Sequence, residues 1–371
     1  MSEEMKNLNE QSEETVVETP DTQVENVEPT VEFVKPQFIE KKPLDKKTLG
    51  IIAGAAAAVV VILGIILGVV LGGGTPHVHN YVNGVCECGE ADPNYVPPVV
   101  EHNYTFSMAV DTSIKDGKVT NYVCALVVED GKIVAVRFDS VEIAPTLEDG
   151  AVVATTGIKS KVELGSAYDA HYPMGAGTWS VQAKAFEDYI IGKTADEVAN
   201  LDLTLVTGCT MSSSRAVFQA LVAEAFASAN KITFTTNRAI TVGVAFDSYV
   251  ESGRSIKAMS EVAALVFAGD KVVAAAIDSI DQGFSITDGT LVAGEAKLSK
   301  AELGADYSMK GSTAGTWVEQ SIVFAKAYIG LTAAEVVEFV PVSDALAAAG
   351  CTLKWGADYH AAVVKALDFV R

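Results

Sequence analysis

Two periodicities alternate through residues 104–371. The stretch "VCALVVEDGKIVAVRFD", from Val123, alternates apolar and polar positions around Asp130-Gly131, which predicts two strands joined by a tight turn. In "TWSVQAKAFEDYIIGK", from Thr178, the period changes. Trp179, Ala183, Phe186 and Ile190 recur at helical spacing, with Thr178 as the expected N-cap and Gly192 as the stop. Thr194 with Glu197, Thr316 with Glu319 and Thr332 with Glu335 have the capping-box spacing of further helix starts. A last helix of this region is expected after Ser212, carrying Val217, Phe218, Leu221, Val222 and Phe226. Strand pairs followed by helices predict an α+β fold, an antiparallel sheet with helices packed against it.

The pattern occurs twice. "LVVEDGKIVAVRFDSV", from Leu126, returns as "LVFAGDKVVAAAIDSI", from Leu265, with Gly269-Asp270 at the turn. "KVELGSAY", from Lys161, returns as "KAELGADY", from Lys300, and "AGTW" at Ala176 returns at Ala314. "TGCT" at Thr207 is matched by "AGCT" at Ala349. Two tandem homologous domains are expected, over 104–230 and 240–371.

Upstream, the pattern disappears and then saturates. Residues 1–48 are polar, acidic and without apolar periodicity, as expected of a disordered tail. From Leu49 to Gly74 no charge interrupts an apolar run, and 49–72 is long enough to span a bilayer as a helix. Lysines at 41, 42, 46 and 47 precede it, so the tail is expected in the cytoplasm and the C-terminal domains outside. A cleaved signal peptide is the competing reading, and the long acidic region before the apolar run counts against it.

Composition narrows the partners. A net charge of −21 excludes the basic surface of a nucleic-acid binder, so no nucleic-acid partner is expected. Five cysteines in 371 residues are too few and too scattered for a disulfide framework. Hydrolase elbows, Walker loops and dinucleotide fingerprints do not occur. The expected partners are the lipid bilayer and, if a flavin is carried, a flavin transferase and membrane redox proteins.

Two stretches carry candidate chemistry. In the segment 73–103, His77, His79, Cys86 and Cys88 flank an Asn83-Gly84 turn. Four such ligands can close a tetrahedral shell around Zn²⁺ with no open position, which makes any zinc site structural. The alternative is a solvated, Pro-rich linker. The segment resembles short His-x-His…Cys-x-Cys-Gly stalks of surface proteins from Gram-positive anaerobes.

The other stretch is "TGCTMSSSRAV", Thr207 to Val217. A helix start presents unpartnered N–H groups and a favourable dipole to an anion. Arg215 places a cation where a bare helix would favour an acid, which points to a phosphate. The order of two strands around "DGKI", a long connection, then Gly-Cys-Thr and serines before a helix resembles the FMN-binding domain family of extracytoplasmic electron-transfer proteins. That resemblance implies FMN held around Thr207, Gly208, Cys209, Thr210 and Ser213, with its phosphate esterified to Ser212. The chain departs from the family motif at Thr204, where an Asp is usual, and at Cys209, where Ala is usual. In the second copy Lys354 occupies the acceptor position and cannot form the ester. Without a flavin, the same residues read as a buried turn and helix cap, and the protein as a non-enzymatic surface module that is structural or binds another ligand, such as a glycan or peptide.

Overall fold

The computed structural model describes residues 80–371, apart from 84, 87, 96, 98, 99, 172–174, 310 and 311. The acidic tail, the apolar run at 49–72, His77 and His79 lie outside these residues. Among the described residues no helix is long and apolar enough to cross a membrane. The described residues fall into two units, one ending at Tyr95 and the other running to Arg371. In the first, β1 (Tyr81–Val82) and β2 (Val85–Cys86) make a small antiparallel hairpin.

In the second unit, the alternation around Asp130-Gly131 becomes β4 (Lys118–Glu129) and β5 (Lys132–Ile143). Asp130 and Gly131 both adopt positive φ, at 49° and 78°, as a two-residue hairpin turn with the right-handed twist requires. β3 (His102–Lys115) pairs with β4 on one side and with β9 (Ile232–Thr236) on the other, giving the order β5-β4-β3-β9. The second copy repeats the meander as β10 (Ile240–Ser252), β11 (Ile256–Ala268) and β12 (Lys271–Thr287), extended by β13 (Thr290–Ala293). Its other edge is closed by β8 (Thr155–Ile158), a strand from within copy one, paired to β10. A two-residue ladder, β6 (Leu147–Glu148) with β7 (Ala151–Val152), precedes it.

Helices cover the outer face of each sheet. Copy one contributes α1 (Lys161–Leu164), α2 (Ser166–His171), α3 (Trp179–Ile190), α4 (Ala195–Ala199) and α5 (Ser212–Ala227). Copy two contributes α6 (Lys300–Leu303), α7 (Trp317–Lys326), α8 (Ala333–Val337), α9 (Asp344–Ala348) and α10 (Gly356–Leu367). The expected capping boxes form at Thr194, Thr316 and Thr332, and Thr178 caps α3.

The two sheets pack face to face. Phe106, Val123 and Val127 of one interlock with Phe246, Val262 and Val266 of the other in a shared core. The opposite faces pack on helices, with Leu126, Trp179 and Phe218 in one layer and Leu265, Trp317 and Tyr359 in the other. The result is four layers: helix, sheet, sheet, helix. Strands β4 and β11 are buried on both faces, so their sequences approach continuous apolar runs. A chain of polar side chains is hydrogen-bonded between the sheets. Thr112 donates to Asn121, whose amide donates to Ser260 (2.8 Å), which bonds Ser248 (2.9 Å).

A buried charge cluster joins the copies at one end. Glu187 of α3 is buried and pairs with Arg137 of β5 (3.1 Å) and Arg371 (2.8 Å), while its other oxygen accepts from the Phe138 N–H (3.0 Å). Arg371 also exchanges backbone bonds with Val242 of β10. Beside them, α10 lies so close to β10 that a Cβ on Gly243 would collide with the Ala366 carbonyl.

Candidate functional site

The Gly-Cys-Thr turns have the same job in both copies. Gly208 and Gly350 sit at φ +79° and +98°, a backbone state that side-chain-bearing residues rarely take. Cys209 and Cys351 point into the helix-side cores, and burial pushes both thiols up, so neither is a thiolate. The Thr210 N–H and hydroxyl both donate to the side-chain oxygen of Gln182 on α3, at 2.7 and 2.9 Å. The Gln182 amide then donates to the Gly177 carbonyl at 2.9 Å. Copy two repeats the lock: Thr352 donates twice to Gln320, at 2.9 and 3.0 Å, and Gln320 donates to Gly315 and Ser312. One buried amide thus fastens two loops. Gln320→Ala would leave the Thr352 donors without that acceptor and is expected to cost about 1–3 kcal/mol. Faster amide exchange confined to 350–355 checks it.

Arg215 does not reach outward from the first turn of α5. Its guanidinium donates to the carbonyls of Leu203 and Cys209, closing the loop over itself. The cation expected to mark a phosphate is thus engaged by backbone carbonyls, while its Nε has no hydrogen-bond partner among the described residues. What the start of α5 still offers an anion is its first-turn N–H groups, which no side chain caps, and the exposed Ser213. Thr207 is exposed at the loop edge.

The built site lies in the second copy, on the helix side of β11 and β12. A cleft of about 670 Å³ is lined by Tyr249, Glu261, Asp281, Lys300, Trp355 and Asp358, among others. A second cavity of about 360 Å³ shares Lys300, Tyr307 and Trp355 with it and runs along Thr352 and Lys354. Trp355 stands 67% exposed where the two meet. Deeper in, Lys300 is buried, 3.2 Å from Asp281 and 3.3 Å from the Tyr359 hydroxyl. The rings of Tyr307, Trp317 and Tyr359 lie 5.3–5.9 Å from its nitrogen. Burial works against its charge, but Glu261, Tyr359 and Asp281 outweigh burial and hold Lys300 above the ordinary lysine range. Burial pushes Glu261 the other way, up to about 8, and its Oε2 has no hydrogen-bond partner among the described residues. Asp358 is also raised, by burial and by Asp247.

Copy one keeps part of this arrangement. Lys161 is buried 2.9 Å from Glu142, its nitrogen 5.0 Å from the Tyr168 ring and 5.6 Å from Trp179. Tyr122 stands where Glu261 does, and Phe218 where Tyr359 packs on the tryptophan. Trp179 Nε1 is consequently unpartnered, while Trp317 Nε1 donates to Tyr359 at 3.1 Å.

In the unit ending at Tyr95, Cys86 is buried and Cys88 exposed on the turn that follows β2, closed by a 2.8 Å bond from the Gly89 N–H to the Cys86 carbonyl. The Glu90 backbone bond lowers the Cys88 thiol, but its contact with Cys86 and burial outweigh that and leave it raised. Two adjacent thiols on one tight turn suit half of a tetrahedral shell. Among the described residues no group of three or more metal-ligating side chains assembles, and His77 and His79 lie outside them.

No family model, curated protein or solved structure matches the chain. Sequence reasoning centred on Thr207–Ser213 and passed over Lys300, Glu261, Asp281 and Trp355. The signal available was the doubled "ELG" motif with its preceding lysine, "KVELG" and "KAELG". Trp355 follows directly on Lys354, the position that set copy two aside as a flavin site.

Proposed function

We propose that the chain is a membrane-anchored, non-enzymatic surface module whose second copy binds a hydroxyl-rich ligand, a saccharide, in the cleft at Trp355. The observation that carries this reading is the exposed Trp355 ring at the junction of two cavities lined by polar and apolar side chains together. A flat aromatic face accepts the C–H face of a pyranose, while Asp247, Glu251, Asp358 and nearby serines accept and donate to its hydroxyls. The anchor is the apolar run at 49–72, with the preceding lysines keeping the tail inside. Zn²⁺, held by Cys86 and Cys88 with His77 and His79, would stiffen the stalk. The test is co-sedimentation of the full chain, in detergent, with insoluble peptidoglycan. The wild type is expected in the pellet and Trp355→Ala at least tenfold less so, with an unchanged circular dichroism spectrum. Equal sedimentation of the two overturns the assignment.

The uncapped start of α5 favours a second reading, extracytoplasmic electron transfer with FMN on Ser212. FMN would supply the redox chemistry, and Ser213 and the first-turn N–H groups would hold its phosphate. In-gel flavin fluorescence after co-production with a flavin transferase, absent from Ser212→Ala, is its signature. A colourless wild type removes it.

A further inference from the structure

The inner wall of the same cleft holds three groups that ordinary packing does not explain. Lys300 is rigidly placed. It opens α6 behind the Ser299–Glu302 capping box, and the next N–H, of Ala301, is fixed on Asp278 at 3.0 Å. Its nitrogen lies 3.2 Å from Asp281 Oδ1 and is walled by three aromatic rings. The other oxygen of Asp281 is held by Lys257 at 3.3 Å. Glu261 is the third group. In the β11–β12 ladder Met259 faces Asp281, so Glu261, two residues on along β11, is a diagonal neighbour of Asp281 on the same sheet face. It is 1% exposed, and its Oε2 is unpartnered among the described residues. A buried carboxyl left half-bonded is costly. Nothing in the core packing requires it, since copy one fills the position with Tyr122.

We propose that Lys300 and Asp281 become joined by an intramolecular amide bond, with Glu261 as the proton carrier. The step is a condensation. The Nζ–Cγ bond forms and one Cγ–Oδ bond of Asp281 breaks. The oxygen leaves as water, taking two protons that the Lys300 ammonium gives up. The neutral Glu261 carboxyl donates one proton toward the departing oxygen and regains one from the amine, ending as it began. Lys257 polarises the carboxylate under attack. One positive and one negative charge become a neutral amide and water, and no oxidant or cofactor is needed. In water such a condensation is unfavourable, but well-oriented intramolecular reactions reach effective molarities on the order of 10⁵–10⁸ M. Neutralising a buried ammonium against a half-buried carboxylate adds to the drive. The bond stands or falls independently of any saccharide.

Copy one is the internal control. Lys161 and Glu142 make the same ion pair, and Lys118 holds the far oxygen at 2.8 Å, but Tyr122 stands where a second carboxyl would be needed. One bond is therefore expected, not two.

Intact mass spectrometry of the full chain under denaturing conditions decides the matter. The wild type should be lighter than its sequence by one water. Lys300→Arg, which keeps the charge, and Glu261→Gln should both have full mass, and fragmentation should place the link between Lys300 and Asp281. A wild type at full sequence mass overturns the proposal whatever the variants do. So does a water loss that persists in Lys300→Arg, which would assign it to cyclisation elsewhere.

Discussion

Glu187→Ala is expected to destabilise the unit that runs to Arg371 by about 3–5 kcal/mol, the usual cost of removing one partner of a buried charge network. The glutamate is 2% exposed at its side chain, with two arginines on one oxygen and a backbone N–H on the other. Its loss strands Arg137, whose guanidinium burial already disfavours, and breaks a link between α3 of the first copy and the last residue of the second. Glu187→Gln, which keeps an acceptor for Phe138, should cost less. Urea unfolding would show both as lower midpoints at constant slope. A Glu187→Ala midpoint equal to the wild type would mean that the arginines find water instead.

The second large effect is on pH. Burial pushes Asp278 up to about 6, Asp139 to about 7 and Glu261 to about 8. Hydrogen bonds from Ser160 and from Ser299 oppose this at the two aspartates without cancelling it. Each carboxyl binds its proton more tightly folded than unfolded. Its contribution is therefore fully present below the ordinary carboxyl pKa of about 4 and is lost as pH rises through 6 to 8. Unfolding free energy should fall by on the order of a few kcal/mol between about pH 5 and 9. The capping glutamates act oppositely and elsewhere. Glu335, bonded by Thr332, is lowered to about 2, so its share is lost only in acid. Glu261→Gln should abolish the uppermost part of the decline, near pH 8, and make the lower part shallower. A flat profile from pH 5 to 9 would show that the three sites admit water.

Local signals in the sequence carried most of the secondary structure. Asp130-Gly131, the threonine caps and the Trp179–Ile190 stripe depend on neighbours a few residues away, where propensity and periodicity act directly. What lies between distant segments was not legible. The face-to-face sheets arise because β4 and β11 are apolar on both faces, and a run such as "CALVV" does not say what covers each side. The pairing of β8 with β10 depends on where a connection of copy one passes, not on its composition. Gln182 is 28 residues from Thr210 and reads as an ordinary polar position on a helix. The lock it forms explains why Gly-Cys-Thr persists in a copy whose next acceptor position is Lys354. The resemblance to a flavin motif and the structural lock thus draw on the same residues, and only side-chain geometry shows that the Thr210 donors are spent on Gln182 and are not free to bind phosphate.

The most direct measurement is tryptophan emission of the full chain during titration with soluble N-acetylglucosamine oligomers. Trp179 and Trp317 are buried at 2% and 1% exposure and Trp355 is open, so a solvent-sensitive change reports on the cleft. A saturable shift in emission, abolished in Trp355→Phe and unchanged in Thr210→Ala, is the expected result and places ligand binding in the second copy. No change in the wild type, or a change that survives Trp355→Phe and fails in Thr210→Ala, would contradict it and return attention to the start of α5.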